Sequence, residues 1–315
     1  MTDHAPLHID LAEAPEDGEA FWLEPAGARI RAAIWKGGDR GTAFIFTGRT
    51  EYIEKYGRII RQLRERGFSV VSLFQRAFGQ GLSERPLKER MKGHVEDFGE
   101  YQNDVAALVN DERVWGLPQP HVLICHSMGG CIGTRTLIEN RLRPAAVVMS
   151  APMLGLSMSR VETVGSKVLI GASKLIGGRS AFAPDPKPRV PYVQKVDFAD
   201  NTLTNDAEHF DWMRRHLERV SELGLGPPTI GWLEEALNET RALAEAPHPD
   251  QPMLYLLGSE EEIVAPDAIR DAAARGAKAE LLEIDGAKHE VFMETVPRQA
   301  KMWAAVDAFL AEQGV

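Results

Sequence analysis

Short apolar runs, each the length of a strand, recur along this chain and are separated by stretches with helical spacing. The predicted strands are 20–23, 28–35, 42–46, 68–74, 122–125, 145–150, 253–257 and 279–284. The predicted helices are 53–66, 95–109, 131–139, 161–176, 207–223, 230–245, 266–275 and 297–312. Because alternating strands and helices form right-handed crossovers, we predict an α/β fold with a mostly parallel, eight-stranded sheet flanked by helices.

The alternation stops after the sixth predicted strand. Residues 155–229 contain an apolar helical stretch, a proline-containing loop and a charged helix, and no strand pattern. Such an interruption is typical of a helical cap inserted over an active site. We therefore predict a core of residues 19–154 and 230–315, a cap of residues 155–229, and an extended N-terminal arm of residues 1–18.

The segment from Val122 to Ile132 carries the clearest chemical signal. An apolar strand runs into Cys125-His-Ser-Met-Gly129, and a helical pattern follows directly. A serine between small residues on a strand-to-helix turn is typical of a nucleophile elbow, which raises the hydroxyl out of the sheet. We predict Ser127 as the nucleophile, against the simpler reading of a Ser-Gly loop that caps a helix. Cys125 stands where glycine is usual, so the turn should be more crowded.

A serine nucleophile needs a base, and the base needs an orienting acid. In this type of fold the chain order is Ser, Asp or Glu, then His. His289 lies on a short loop after the last predicted strand and is the predicted base, against a plain surface histidine. The acid should follow strand 253–257, where the candidates are Glu260, Glu261, Glu262 and Asp267. Spacing alone does not choose among these four.

An oxyanion hole requires two backbone N–H groups that face the carbonyl oxygen. Met128 follows the nucleophile, and Arg49 lies on the loop after the third predicted strand. We predict that the main chains of these two residues provide the two donors. The Arg49 side chain is read as a surface arginine, with an anionic headgroup as the alternative contact.

Composition and charge narrow the classes of partner. The 315 residues are 44% hydrophobic and 26% charged, and the net charge of −10 disfavours nucleic acid as a partner. It also disfavours strong electrostatic adhesion to anionic lipid, although not a small apolar docking patch. No signal-peptide pattern and no apolar run long enough to span a bilayer is present. The two cysteines flank the elbow and are read as buried and reduced, which favours a cytoplasmic protein.

With these residues placed, the sequence from about residue 20 to the end resembles an α/β-hydrolase of the bacterial lysophospholipase and monoacylglycerol lipase family. The motifs that carry the resemblance are Thr47–Tyr56, Gly79–Ser83, Gly93–Phe98, Cys125–Gly130, Ser150–Met153, Asn201–Thr204, Gly226–Trp232 and Lys288–Glu290. In this family the acid precedes the second residue of an Ile/Val-Val pair by three positions, which implies Glu261 here. The segment Phe74–Gly79 departs from the family pattern.

The resemblance implies hydrolysis of a carboxylic ester with one long acyl chain, through a Ser-His-Glu triad and an acyl-enzyme, with no metal or cofactor. His126, Met153 and Leu154 are expected to contact the substrate, and the apolar stretch 161–176 is expected to line an acyl tunnel or form cap core. The alternatives are a general short-chain carboxylesterase and, more remotely, a non-catalytic hydrolase-fold binding protein. The expected location is cytoplasmic, with transient contact between the cap and the inner face of the membrane.

Overall fold

The structure is a computed structural model that describes residues 5–25, 28–73, 89 and 91–315. The unusual segment Phe74–Gly79 and the motif Gly79–Ser83 lie outside the described residues. All predicted site residues lie within them.

One eight-stranded sheet forms the centre of the protein. Its strands are β1 (Glu19–Leu23), β2 (Ile30–Trp35), β3 (Gly41–Phe46), β4 (Phe68–Leu73), β5 (His121–His126), β6 (Ala146–Ser150), β7 (Met253–Gly258) and β8 (Ala279–Ile284). The spatial order is β1-β2-β4-β3-β5-β6-β7-β8. The strand β2 is antiparallel to β1 and β4, and all other neighbours are parallel. The prediction of a mostly parallel α/β sheet is confirmed.

The inner strands explain why the sequence shows continuous apolar runs rather than alternation. Every residue of β2, β3, β4, β6 and β7 is buried, because helices cover both faces of the sheet. By contrast, the edge strand β8 is buried only at Ile284. The carboxyl ends of the parallel strands meet at one edge, where the predicted site residues follow β3, β5, β7 and β8.

Helices flank the sheet and fill the long connection between β6 and β7. They are α1 (Ile9–Ala12), α2 (Gly57–Glu65), α3 (Gly99–Val109), α4 (Glu112–Trp115), α5 (Met128–Ile138), α6 (Arg160–Leu175), α7 (Tyr192–Lys195), α8 (Ala207–Arg219), α9 (Ile230–Glu245), α10 (Pro266–Arg275) and α11 (Val296–Glu312). Short 3-10 turns are Ile53–Tyr56, Phe198–Asp200, Ser221–Leu223 and Val291–Met293. In the described chain, no helix is long and apolar enough to cross a bilayer.

The N-terminal segment differs from the extended arm that was predicted. Residues Ile9–Ala12 form one turn of helix, and Leu11 and Ala12 are buried in the main core. Their apolar side chains pack beside the 3-10 turn Ile53–Tyr56. The prolines and acidic residues around this segment gave no indication of this packing. The expectation of an extended arm is therefore wrong for this turn.

The cap elements α6, α7 and α8 lie between β6 and β7, as the interruption of the alternation predicted. Helix α9 then packs against both α5 and α6, so it joins the cap to the core. We propose the limits 155–229 for the cap and 19–154 with 230–315 for the core.

Candidate active site

Ser127 occupies a strained turn between β5 and α5. Its φ of 51° and ψ of −119° lie in a region that residues with a side chain rarely adopt. Its backbone N–H donates to the Ser150 carbonyl at 3.0 Å, and the Met153 N–H donates back to the Ser127 carbonyl at 2.8 Å. These bonds to the end of β6 hold the turn. The geometry is that of the nucleophile elbow that the sequence predicted.

Cys125 fits this turn because the facing helix has no side chain at the point of contact. A Cβ on Gly133 of α5 would lie 2.5 Å from the Cys125 sulfur, which is too close for any substituent. The space for the larger residue is therefore provided by Gly133. Cys125 and Cys131 are both free and buried, as predicted, and burial raises the pKa of each thiol well above its usual value.

The structure brings His289 and Glu261 together across two loops. His289 follows β8, Glu261 follows β7, and the His289 Nδ1 lies 2.7 Å from the Glu261 Oε2. The other oxygen of Glu261 accepts the backbone N–H groups of Ile263 at 2.7 Å and Val264 at 3.1 Å. Burial raises the pKa of Glu261, but the charge and hydrogen bond of His289 and the two backbone donors outweigh it, so the pKa is lowered. Glu261 is thus an ionised, oriented partner for the imidazole.

The other carboxylates of this loop face away from His289. Glu260 accepts a hydrogen bond from the Asn205 amide at 2.8 Å, and Glu262 is exposed. Asp267 lies at the start of α10, where it pairs with Arg270 at 3.0 Å. The three-dimensional arrangement therefore singles out Glu261, which spacing alone had left open.

A cavity of about 400 Å³ opens between these residues and the cap. On the core side it is lined by Arg49, His126, Ser127, Met153 and His289. Most of its wall on the cap side is apolar, and the residues there include Tyr192, Val193, Leu203, Met213, Leu217 and Leu225. The nucleophile and the imidazole therefore share one apolar chamber.

Two expectations about the chamber wall need correction. Leu154 does not line this chamber; it lines a second cavity, together with Leu243, His248 and Tyr255. No residue of the stretch 161–176 lines the chamber either. Five of its aliphatic side chains are exposed, Val161, Val164, Val168, Leu175 and Ile176, and Leu169 and Ile170 are partly buried. Met153 and Leu154 are adjacent in sequence, yet Met153 lines the chamber and Leu154 lines the second cavity.

The two predicted oxyanion donors belong to different segments, one directly after Ser127 and one on the loop after β3. Met128 is the first residue of α5, where backbone N–H groups have no partner inside the helix. Arg49 lies on the loop after β3, and its guanidinium donates from Nη2 to the Gly226 carbonyl of the cap at 2.9 Å. The guanidinium also lies over the Trp232 ring at 5.0 Å, and burial lowers its pKa to about 10. Arg49 is thus a contact between core and cap, and the reading as a surface arginine is wrong.

Beneath the oxyanion loop lies a buried polar cluster that sequence analysis missed, formed by Glu51, Lys55, Glu290 and His126. The Lys55 ammonium donates to both carboxylates, with the Glu290 contact at 2.5 Å. Glu51 also accepts the Gly48 N–H, so the cluster holds the main chain next to Arg49. The His126 Nε2 lies 3.3 Å from the Glu290 carboxylate, and its ring centre is 4.8 Å from that of His289. His126, predicted to touch the substrate, is thus embedded in this cluster at the chamber floor.

Comparison with known proteins agrees with this geometry. Residues 37–296 match the family described as serine aminopeptidase, S33. The chain belongs to this α/β-hydrolase family. Lysophospholipase L2 of Escherichia coli K12 is 29% identical over 277 residues, which are 84% of this chain and 79% of that protein. A probable lysophospholipase L2 of Haemophilus influenzae is 25% identical and covers 87% and 85% of the two chains.

The fold is also that of a solved lipase. A soluble variant of monoglyceride lipase from Saccharomyces cerevisiae, crystallised with a substrate analogue, superposes with a TM-score of 0.73 at 17% identity. The match covers 98% of this chain and 99% of that one. The family match makes this S33 hydrolase a member of the α/β-hydrolases, and the superposition shows the same fold.

Opposite charges in the buried cluster of this S33 hydrolase shift the pKa values of Lys55, His126 and Glu290. Burial lowers the pKa of Lys55 and of His126, but Glu290 and Glu51 outweigh it and raise both. Burial raises the pKa of Glu290, and Lys55 and His126 bring it well below its usual value. Donor atoms of Glu51, His126 and Glu290 lie close enough together to hold a metal ion. The Lys55 ammonium already supplies a cation to both carboxylates, so their charge does not require a metal.

We expect Lys55→Met to destabilise the fold strongly. It would leave two carboxylates buried beside each other without the ammonium, and breaking a buried ion pair from one side costs about 3–5 kcal/mol. For a chain of this size the melting temperature should fall by roughly 10 °C. The control is Arg215→Met, which removes a 46% exposed guanidinium that pairs with the exposed Glu208 and Asp211, and should cost less than about 1 kcal/mol. Equal losses in the two variants would contradict a structural role for the cluster.

One signal in the sequence could have indicated the cluster. Glu51 and Lys55 stand four residues apart beside apolar residues that end in the buried core. Charged residues at helical spacing on a segment that must be buried imply a partner within the fold. The partner, Glu290, is separated by 235 positions and no local pattern points to it.

Proposed function

We propose that this protein hydrolyses a carboxylic ester with one long acyl chain, such as a lysophospholipid or a monoacylglycerol. The observation that carries the proposal is the single chamber that joins Ser127 and His289 to an apolar cap wall. An acyl chain would gain about 0.8 kcal/mol for each methylene that it buries against such a wall. The named activities of the lysophospholipase and monoglyceride lipase relatives agree with this chemistry.

The proposed reaction uses Ser127 as nucleophile. Its Oγ attacks the acyl carbonyl carbon while the His289 Nε2 takes the hydroxyl proton, and the carbonyl oxygen becomes the oxyanion. Glu261 accepts the Nδ1 hydrogen bond and so keeps Nε2 free to act as base. Backbone N–H groups of Arg49 and Met128 stabilise the oxyanion. The alcohol leaves with the proton from His289, and water then releases the fatty acid from the acyl-enzyme by the same steps.

The acyl-chain preference distinguishes this proposal from a short-chain carboxylesterase. With a series of p-nitrophenyl esters we expect kcat/KM to rise with chain length, by up to roughly fourfold per methylene, until the chamber is filled. Lysophospholipids and monoacylglycerols should be cleaved, and aminoacyl p-nitroanilides should not. A maximum at acetyl or butyryl would favour the short-chain esterase. Lack of turnover on every ester would favour the non-catalytic binding protein.

Enlarging one wall residue should move this preference. Leu217 of α8 lines the chamber, so Leu217→Phe should shift the best substrate to a shorter acyl chain and leave the acetyl ester unaffected. Leu243→Phe is the matched control, since Leu243 is a buried leucine of the second cavity. The same shift in both variants would show that the volume of the chamber does not set the preferred length of the acyl chain.

A further inference from the structure

Helix α6 of the cap exposes four aliphatic side chains to solvent. Val161, Val164, Val168 and Leu175 are 82%, 62%, 67% and 89% exposed. The fully buried residues of the same helix are two serines, Ser166 and Ser173, while Leu169 and Ile170 are partly buried. A cap helix that served only the fold would bury most of its aliphatic residues. Burial of Leu169 and Ile170 explains one side of α6, but the stability of the isolated protein does not account for four exposed aliphatic residues on the other side.

The exposed aliphatic residues form one continuous surface. Positions 161, 164, 168 and 175 fall on one side of an α-helix, and Ile176, which is 82% exposed, extends that side beyond the last turn. We call this surface the apolar stripe. Single exposed apolar residues are ordinary, but a contiguous apolar stripe indicates a surface that contacts a membrane or another molecule.

A row of basic residues follows the apolar stripe. Arg160, Lys167 and Lys174 are spaced by seven residues, so they line up along one flank of the stripe. The segment 155–190 contains six basic and two acidic residues, a net charge of +4 in a chain whose total is −10. The Lys174 ammonium also contacts Glu234 at 2.5 Å and is half exposed. Positive charge is thus concentrated where the aliphatic side chains are exposed.

We propose that α6 docks on the surface of a bilayer that contains anionic lipid. The apolar stripe would enter the boundary between headgroups and acyl chains, and the basic row would face the lipid phosphates. A second copy of this chain fits less well, because it would bring two faces of net charge +4 together. This inference rests on the proposed function in one respect: a single-chain lipid ester is a substrate that resides in such a surface.

The cap segment that contains α6 also contributes to the chamber. Leu156 and Val190, which precede and follow α6 in the sequence, both line the chamber wall. Docking through α6 would therefore hold a segment of the chamber wall at the membrane. The negative charge of the rest of the chain would keep its other faces away from the same surface.

The test is flotation of the full-length protein with vesicles of diether phosphatidylcholine, with and without diether phosphatidylglycerol, lipids that the enzyme cannot hydrolyse. We expect binding to the anionic vesicles, and binding about tenfold weaker for the double variant V164Q/V168Q. Glutamine is neutral and a better helix former than valine, so the helix should persist. Turnover of a water-soluble short-chain ester should not change. The matched control is Val296→Gln, which removes a valine that is 76% exposed on α11, and its binding should equal that of the wild type.

The basic row is tested separately. R160Q/K167Q should weaken binding to anionic vesicles by about fivefold for each charge, and added salt should weaken wild-type binding in the same way. Binding to purely zwitterionic vesicles should be the same in this variant and the wild type. An equal loss on both vesicle types would show that the row does not recognise lipid charge.

Three results would overturn the docking proposal. The first is an active wild-type enzyme that binds no vesicles, and the second is full binding by V164Q/V168Q. The third is a concentration-dependent dimer in analytical ultracentrifugation that V164Q/V168Q abolishes, without vesicle binding, which would assign the stripe to a second copy. Vesicle binding without turnover of any lipid ester would instead contradict the proposed function and leave the docking surface in place.

Discussion

Replacing Ser127 by alanine should lower kcat for a long-chain ester by roughly 10⁶-fold, because no other group can form the acyl-enzyme. Alanine lacks only the hydroxyl and accepts the same strained backbone, so the fold should be retained. The measurements are turnover of the p-nitrophenyl ester and covalent labelling by a fluorophosphonate, with a thermal melt to verify folding. Labelling that persists in Ser127→Ala would refute the assignment of the nucleophile. Ser157→Ala is a suitable control, since Ser157 is an exposed serine whose backbone N–H donates to the Ile263 carbonyl, on the loop of Glu261.

Replacing Glu261 by glutamine should lower kcat by about 10⁴-fold. If the glutamine oxygen keeps the two backbone N–H bonds of Oε1, its NH2 group faces the His289 Nδ1 and donates to it. The imidazole would then lose the tautomer that leaves Nε2 free as a base. Since Glu261 Oε1 also holds two backbone N–H groups, the side-chain carbonyl of glutamine can keep the loop in place. The thermal melt should therefore change much less than the rate.

The neighbouring acids provide matched controls for this prediction. Glu260→Gln, Glu262→Gln and Asp267→Asn remove one negative charge each from the same region, and their side chains do not face His289. Each should retain kcat within about threefold of the wild type, as is typical of surface substitutions. A loss in Glu260→Gln or Asp267→Asn that matches the loss in Glu261→Gln would reassign the acid.

The docking surface changes how the net charge of the chain should be read. The total of −10 suggested weak attraction to anionic lipid, but a total says nothing about the position of the charges. The cap segment 155–190 has a net charge of +4 and the rest of the chain is more acidic, and the structure exposes five aliphatic residues of this segment. Because electrostatic attraction is screened within about 8 Å at physiological salt, the local charge near the surface governs binding.

Much of the fold and part of the site follow from local sequence. The length and polarity of each apolar run identify strands and helices, and their alternation fixes a parallel sheet. Ser127 was predictable because a strained strand-to-helix turn requires small residues near the serine, and Cys125 and Gly129 stand at those positions. His289 was predictable because it stands on the loop after the last strand, where the fold type requires a histidine.

Other features were decided only by tertiary contacts. Three glutamates stand side by side after β7. The family resemblance implied Glu261, but only the contacts with His289 and with two backbone donors show physically how Glu261 differs from its neighbours. Met153 and Leu154 are adjacent and similarly apolar, yet one lines the chamber and the other a second cavity. In each case the sequence restricted the candidates, and the direction of a side chain chose among them.

By itself, then, the sequence determined the α/β architecture, the elbow with Ser127 and the loop with His289, since each depends on residues within one or two turns of chain. The tertiary structure showed that Glu261 is the carboxylate that contacts His289, and it alone decided the partner of Lys55 and the exposed face of α6. These depend on which distant segments meet: Glu290 lies 235 positions from Lys55, and the serines of α6 face inward because of the helices beside them. Local periodicity shows that a helix has an apolar face, but only packing shows whether that face is covered.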